Sequence, residues 1–177
     1  MKKKIHDKTF IPYLRSADIQ QAVSKIAAQI NEDYKGKSPL CIAILNGSFM
    51  FAADLFKQLD IDASISFIKL ASYKGMNSTG NVVTAIGLET TLSGRDIILI
   101  EDIVDTGKTL HAFLPQLMDH QPASLKICSL LHKKEATVYP INIDYLGFEI
   151  PNLFVVGYGL DYDGLGRNLG EIMQLEC

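Results

Sequence analysis

Three apolar runs constrain this chain more than any other feature of it. "LCIAIL" (Leu40–Leu45), "IILI" inside "DIILIED", and "ICSLL" inside "SLKICSLLHK" are continuous rather than alternating. A strand that is apolar on both sides has to be covered on both sides. The intervening segments supply that cover. "SADIQQAVSKIAAQINEDYKG" sets Ile19, Ala22, Val23, Ile26, Ala27 and Ile30 at helical spacing, with Ser16 as the N-cap and Gly36 as the stop. "SFMFAADLFKQL" reads as a helix with Phe49, Ala52, Ala53 and Phe56 on one side, and Lys108–His120 as a helix that Pro115 can kink. "ASISFIKLAS", "VVTAIGL", "DYLGFEI" and "FVVGYGL" read as further strands, and Ser72–Asn81, "SYKGMNSTGN", as a loop. Continuous strands alternating with amphipathic helices predict an α/β fold, a parallel sheet with helices on both faces. The 177 residues suit one domain, and no repeat, low-complexity stretch or linker divides them.

Charge and cysteine usage exclude several classes. Lys and Arg number 17 against 20 Asp and Glu, a net charge of −3, which argues against a nucleic-acid binder held by phosphate contacts. The opening "MKKK" is followed by "IHDKTF", not by the apolar core of a signal peptide. Ser38–Ala53 is free of charge until Asp54, but Asn46, Gly47 and Ser48 interrupt it and it is too short to span a bilayer. A cytoplasmic protein with no membrane partner is the expectation. Cys41, Cys128 and Cys177 have no Cys-x-x-Cys spacing and no histidine at metal spacing. Cys41 and Cys128 lie inside apolar runs and read as small buried hydrophobes.

In a parallel sheet of this kind, ligands bind where loops leave the carboxyl ends of the strands. The chemically active residues gather there. Asn46-Gly47-Ser48 follows the first run, Glu101 to Thr109 the second, and His132-Lys133-Lys134 the third. The second is the most specific. "DTGKT" leads from strand to helix, so backbone N–H groups at the helix start, the hydroxyls of Thr106 and Thr109, and the close approach allowed by Gly107 suit a phosphate. It is not a Walker A loop, because Asp102 stands where that motif needs its first glycine. Neither "GYGLDY" nor "GLGRNL" matches the dinucleotide pattern. Glu101, Asp102 and Asp105 are unwelcome to phosphate. A ligand carrying hydroxyls beside a single phosphate reconciles them, since carboxylates accept from sugar hydroxyls while backbone N–H groups hold the phosphate. A ribose 5-phosphate has that form.

Four apolar residues, two acids, two apolar residues and Asp-Thr-Gly-Lys-Thr resemble the phosphoribosyl pyrophosphate (PRPP) signature of the type I phosphoribosyltransferases. "ILNGSFMFAADL", "SYKGMNSTG", "LLHKK" and "GFEIPNLFVVGYGLDY", with the trailing Arg167, resemble the hypoxanthine and hypoxanthine-guanine branch, so the likeness runs over roughly Leu40 to Arg167. The resemblance implies the parallel-sheet fold of that family over residues 1–177, with a core over about 38–160 and a small hood from the terminal segments. It also implies roles. Glu101 and Asp102 would bind the ribose hydroxyls. Asp105, Thr106, Gly107, Lys108 and Thr109 would hold the 5-phosphate, with Asp105 as general base near purine N7. Asn46, Gly47 and Ser48, through backbone N–H groups, and Arg167 would bind pyrophosphate, with a non-proline cis peptide after Leu45. Ser72 and Tyr73 would belong to a lid. Lys133 would meet the 6-oxo group, Phe154 would stack on the purine, and the Val155 backbone would read its edge. Mg²⁺ would be held with the help of Glu101, Asp102 and Asp161, the last also lying in the purine region. Many relatives have Lys in place of Asn46, so a contact made by that ammonium is open here. Homodimers or homotetramers are implied.

Plainer readings exist for single residues. A phenylalanine in "LFVVGY" is ordinarily a core strand residue, Lys133-Lys134 a solvated strand end, and Asp161 and Asp163 turn acids. Their joint occurrence favours the resemblance, which implies transfer of the 5-phosphoribosyl group from PRPP to hypoxanthine, and to guanine, giving IMP, or GMP, and pyrophosphate. The alternatives are a xanthine-preferring relative and a non-catalytic, PRPP-sensing regulator that binds nucleic acid. Net charge, Asp105 and Lys133 weigh against the regulator. A phospho-receiver module would lack both "TGKT" and the aromatic purine segment.

Overall fold

The computed structural model describes residues 1–73, 82–86 and 91–176. In chain order the elements are β1 (Lys3–Ile5), β2 (Lys8–Leu14), α1 (Ser16–Asp33), β3 (Leu40–Leu45), α2 (Phe49–Phe56), β4 (Ser64–Tyr73), β5 (Val82–Ile86), β6 (Asp96–Val104), α3 (Lys108–Asp119), β7 (Ser124–His132), β8 (Tyr145–Glu149), β9 (Val155–Val156) and β10 (Ile172–Leu175).

The main sheet has the order β5-β4-β3-β6-β7-β8. Its last five strands in that order are parallel, and β5 pairs antiparallel with β4 at the edge. The continuous apolar runs form its centre, because only there is a strand covered twice. Successive residues of β3 and β6 point to opposite faces and enter separate cores. Cys41, Ala43, Ile98 and Ile100 join α1 and α2 on one side. Leu40, Ile42, Ile97 and Leu99 join Leu110, Phe113 and Leu117 of α3 on the other.

Helix α1 buries the six residues its spacing predicts, Ile19, Ala22, Val23, Ile26, Ala27 and Ile30. Ser16, expected as the N-cap, is instead the first helical residue. Arg15 takes the cap position with extended backbone, and no side chain caps the helix. Arg15 bonds Asp18 through both Nε and Nη2, at 2.8 and 2.9 Å, across the first turn. In α2 the buried residues are Phe51, Ala52 and Leu55, while Phe49 and Ala53 of the expected face are exposed. A helix apolar almost all round carries no periodic signal to orient it, so its neighbours choose the face. Pro115 lies within α3 without ending it. β4 runs through Tyr73, so Ser72 and Tyr73 are strand rather than loop, paired with Val83 and Val82. The remainder of that expected loop and lid, 74–81, lies outside the described residues.

A second, antiparallel sheet has the order β1-β2-β10-β9. The two ends of the chain therefore build the hood, with Ile5, Phe10, Val156 and Met173 as its own small core. Among the described residues no helix is long and apolar enough to cross a membrane.

Candidate active site

β3, β6 and β7 lie side by side and run the same way, so their carboxyl ends bring three loops together. The loop after β6 turns through Gly107 at φ +77° into α3. A Cβ at Gly107 would fall 2.2 Å from the Tyr139 carbonyl oxygen, so the loop closes only around glycine. Backbone N–H groups of Val138 and Tyr139 both donate to Thr106 O at 3.0 Å, and Thr137 Oγ1 donates to Asp105 O at 3.1 Å. The segment after β7 thus clamps the Asp105–Gly107 backbone from outside. A cavity of about 140 Å³ remains over this loop, lined by Glu101, Asp105, Thr106, Lys108 and Thr109 among others. A larger groove of about 610 Å³, between Lys35 and Asp60, has none of these residues and is no part of this site.

Lys133 follows β7 and is only 7% exposed. Its backbone N–H donates to Val104 O at 2.9 Å, and its Nζ donates to Asp105 Oδ2 at 2.8 Å. It is therefore no solvated strand-end lysine. The buried ammonium is held by a half-exposed carboxylate that sits in the loop after β6.

Glu101 and Asp102 lie within β6, ahead of its last two residues, Ile103 and Val104, rather than at its end. Burial and the neighbouring Asp102 carboxylate push the Glu101 carboxyl well above the usual range. Burial also raises Asp102, with hydrogen bonds from Glu101 and the Ile103 N–H, and the Arg167 charge, working against it. Asp102 Oδ1 accepts from Ile103 N at 3.0 Å. Its other oxygen lies against Gly47, where a Cβ would stand 1.6 Å away. The Leu45–Asn46 peptide is cis, as expected. Ser48 is fully buried and its Oγ donates to Ile44 O at 2.6 Å, so the hydroxyl braces the loop instead of facing a ligand.

Arg167 lies on the hood side. Its Nη1 donates to Gly159 O at 2.6 Å and its Nη2 pairs with Asp161 Oδ1 at 2.6 Å. Asp161 Oδ2 accepts from Gly164 N at 2.8 Å. With both oxygens engaged, Asp161 does not gather with Glu101 and Asp102 into the expected three-acid metal set. Among the described residues no three acids, histidines or cysteines cluster so as to hold a metal. Val155 is buried in β9, whereas Phe154 is 45% exposed and available for stacking. Its ring meets Tyr162 edge-on at 5.7 Å and Phe10 at 6.2 Å.

The phosphoribosyl transferase domain model matches residues 13–163. The chain belongs to the phosphoribosyltransferase family. It is 42% identical over 164 residues to a hypoxanthine-guanine phosphoribosyltransferase of Staphylococcus aureus, covering 92% of each chain. It is 41% identical over 155 residues to a hypoxanthine-guanine-xanthine phosphoribosyltransferase of Tritrichomonas foetus, covering 86% of this chain and 84% of that one. A crystal structure of a hypoxanthine-guanine phosphoribosyltransferase from Bacillus anthracis superposes with a TM-score of 0.87 at 36% identity, over 94% of this chain and 98% of that one. The phosphoribosyltransferase fold thus accounts for the convergence of the three loops beneath the hood. Tyr158, Asp54 and Gly159 join the hood to α2 and the loop after β3 beside this site; they fall inside "GFEIPNLFVVGYGLDY" and "ILNGSFMFAADL", but nothing in either stretch pairs the one with the other.

Proposed function

We propose that this phosphoribosyltransferase joins hypoxanthine and guanine to PRPP, releasing pyrophosphate and forming IMP and GMP. The Lys133–Asp105 pair carries the reading. A 6-oxopurine presents O6 and N7 side by side on one edge. An ammonium and a carboxylate 2.8 Å apart offer a donor and an acceptor at that spacing. Lys133 donates to O6. Asp105 accepts the proton of an N7–H purine as N9 attacks C1 of the ribose, the C1–O bond to pyrophosphate breaks, and the electron pair of that bond leaves with pyrophosphate. The transition state resembles that of glycoside cleavage, with positive charge on the ribose ring. Glu101 and Asp102 accept hydrogen bonds from the ribose hydroxyls, and Thr106 to Thr109 hold the 5-phosphate. Asn46 and Gly47, with Arg167, receive pyrophosphate. Phe154 stacks on the base and the Val155 backbone reads its edge.

Mg²⁺ fits as a partner of PRPP. Burial raises the carboxyl groups of both Glu101 and Asp102, and the Asp102 charge raises Glu101 further, so a cation beside them would relieve the pair. A magnesium ion takes one or two protein carboxylates and completes its shell from phosphates and water. When bound, it neutralises charge on the leaving pyrophosphate. Asp161 would contribute only after releasing Arg167.

A cytoplasmic homodimer or homotetramer is the accompanying proposal, with neither nucleic acid nor membrane as partner. Xanthine carries the same O6 acceptor and belongs in the test. Pyrophosphate release is measured with PRPP, Mg²⁺ and hypoxanthine, guanine, xanthine or adenine in turn. Turnover with the first two and none with adenine is expected. Equal turnover with adenine, or none with any base, would overturn the reading.

A further inference from the structure

Tyr158 is buried beneath the hood, and its backbone is left-handed at φ +49°. A non-glycine residue adopts that region at a cost. Gly157 N donates to Leu160 O at 3.0 Å and Leu160 N returns the bond at 3.1 Å, closing a two-residue turn over Tyr158 and Gly159. Positive φ at both central residues is the pattern of a type I′ turn, where Asn or Gly would be the relaxed choice at the first position. A tyrosine there implies that the side chain does something.

That side chain reaches into the body of the molecule. Its hydroxyl donates to Asp54 Oδ2 at 2.7 Å, on α2. Gln20 Nε2 of α1 donates to the same oxygen at 2.7 Å, and Lys57 Nζ pairs with Oδ1 at 2.7 Å. Helix α2 is the one that begins directly after Asn46-Gly47-Ser48. The other residue of the turn touches that loop directly. Gly159 packs on the Gly47 carbonyl so closely that a Cβ would stand 2.0 Å from the oxygen. The same turn receives Arg167: Gly159 N donates to Arg167 O at 3.0 Å and Arg167 Nη1 donates to Gly159 O at 2.6 Å. Turn, loop and arginine thus form one stack, fastened to α2 by the Tyr158–Asp54 hydrogen bond.

We propose that Tyr158 is a positioning residue for the pyrophosphate end of the site. Its bond to Asp54 holds the turn against Gly47 and so keeps Arg167 and the loop at 46–48 facing the same anion. This rests on the assignment of that loop and Arg167 to pyrophosphate. The purine side stands apart from the latch, because Phe154 and Val155 are held upstream, with Val155 paired to Gln174 and Leu175 N donating to Phe154 O at 2.9 Å.

The test is steady-state kinetics in both directions for the full chain and for Tyr158→Phe, Asp54→Ala, Asp54→Asn and Tyr158→Phe/Asp54→Ala. Tyr158→Phe leaves Asp54 with Gln20 and Lys57, so the fold survives. Its KM for PRPP, and for pyrophosphate in the reverse reaction, should rise roughly ten-fold, the worth of a hydrogen bond to a charged group. Its KM for hypoxanthine should stay within about two-fold. Asp54→Asn, which keeps an acceptor, should remain close to wild type. The double variant should be no worse than either single one, as residues acting through one bond require. An unchanged KM for PRPP in Tyr158→Phe, or an equal rise for both substrates, would overturn the latch. Should Tyr158→Phe not fold, Asp54→Ala probes the same bond from its other side, with the same two outcomes. A wild-type chain that consumes no PRPP with any purine would sink the functional reading, and the latch with it. An active wild type with unshifted variants would sink the latch alone.

Discussion

Asp105 and Lys133 are 28 residues apart in the chain and 2.8 Å apart in space. Each answers a need of the other. An ammonium as buried as Lys133 requires a partner, and a carboxylate in a phosphate loop requires a cation. Asp105→Asn should therefore keep the fold but slow nucleotide formation roughly 10²–10⁴-fold, the range for a lost general base. Turnover equal to wild type in the folded variant would remove Asp105 from the mechanism. Lys133 has three donors and no acceptor, so the amino group of adenine sets donor against donor. A site built on such a bond can reject the wrong ligand by roughly 10⁴-fold. Lys133→Met should lower kcat/KM with hypoxanthine and narrow its advantage over adenine. The ratio of the two kcat/KM values, in both proteins, checks this. A constant ratio would place specificity elsewhere.

The central strands are ladders of side chains that alternate between two separate cores. Cys41 and Cys128 both face the core under α1 and α2. Burial pushes the Cys41 thiol up to about 12 and raises Cys128 well above its ordinary value. A raised thiol pKa starves the nucleophilic thiolate at neutral pH. In a Cys177→Ser background, neither remaining thiol should react with an aromatic disulfide reagent at pH 8 until the protein unfolds. Release of one equivalent from the native protein within minutes would show that β3 or β7 opens locally. Helix α2 shows the opposite balance. Its sequence did not specify which side to bury, and Phe51 rather than Phe49 turned inward because β3 and α1 lie on that side.

Across the whole molecule, the proposed purine side of the site depends on the first and last strands meeting in the hood. β2 lies between β1 and β10, and β10 pairs in turn with β9, which follows Phe154. Phe10 is fully buried in the hood core, within 6.2 Å of both Phe154 and Tyr162. The Tyr162 hydroxyl donates to Asp7 Oδ1 at 2.8 Å, pinning the first hairpin to the same segment. Phe10→Ala should cost about 3–5 kcal/mol, as large-to-small changes of buried aromatics do. It should raise KM for hypoxanthine more than KM for PRPP, the reverse of the latch variants. Urea melts and the two KM values are the check. An equal rise in both would mean that the hood acts on the whole site at once.

Local patterns in the chain were enough to specify the parallel sheet, the buried face of α1, and the loop from strand to helix with the acids beside it. Continuous apolar runs, a 3.6-residue period, and a strand running through acids into Thr-Gly-Lys-Thr each act within a few residues. Features that depend on distant neighbours were settled by packing instead. β9 lies within the expected strand "FVVGYGL", but β1, β2 and β10 are of mixed polarity, with Pro12 inside β2, and only their pairing in the hood sheet reveals them. The cap position expected of Ser16 is held by Arg15, because the chain enters α1 directly from β2. The hydroxyl of Ser48 was drawn to Ile44, and both oxygens of Asp161 to Arg167 and Gly164, because a buried or crowded polar atom takes the nearest partner. The bond between Tyr158 and Asp54 spans 104 residues. No spacing rule reaches that far, and only the docking of the hood turn on α2 brings the two together.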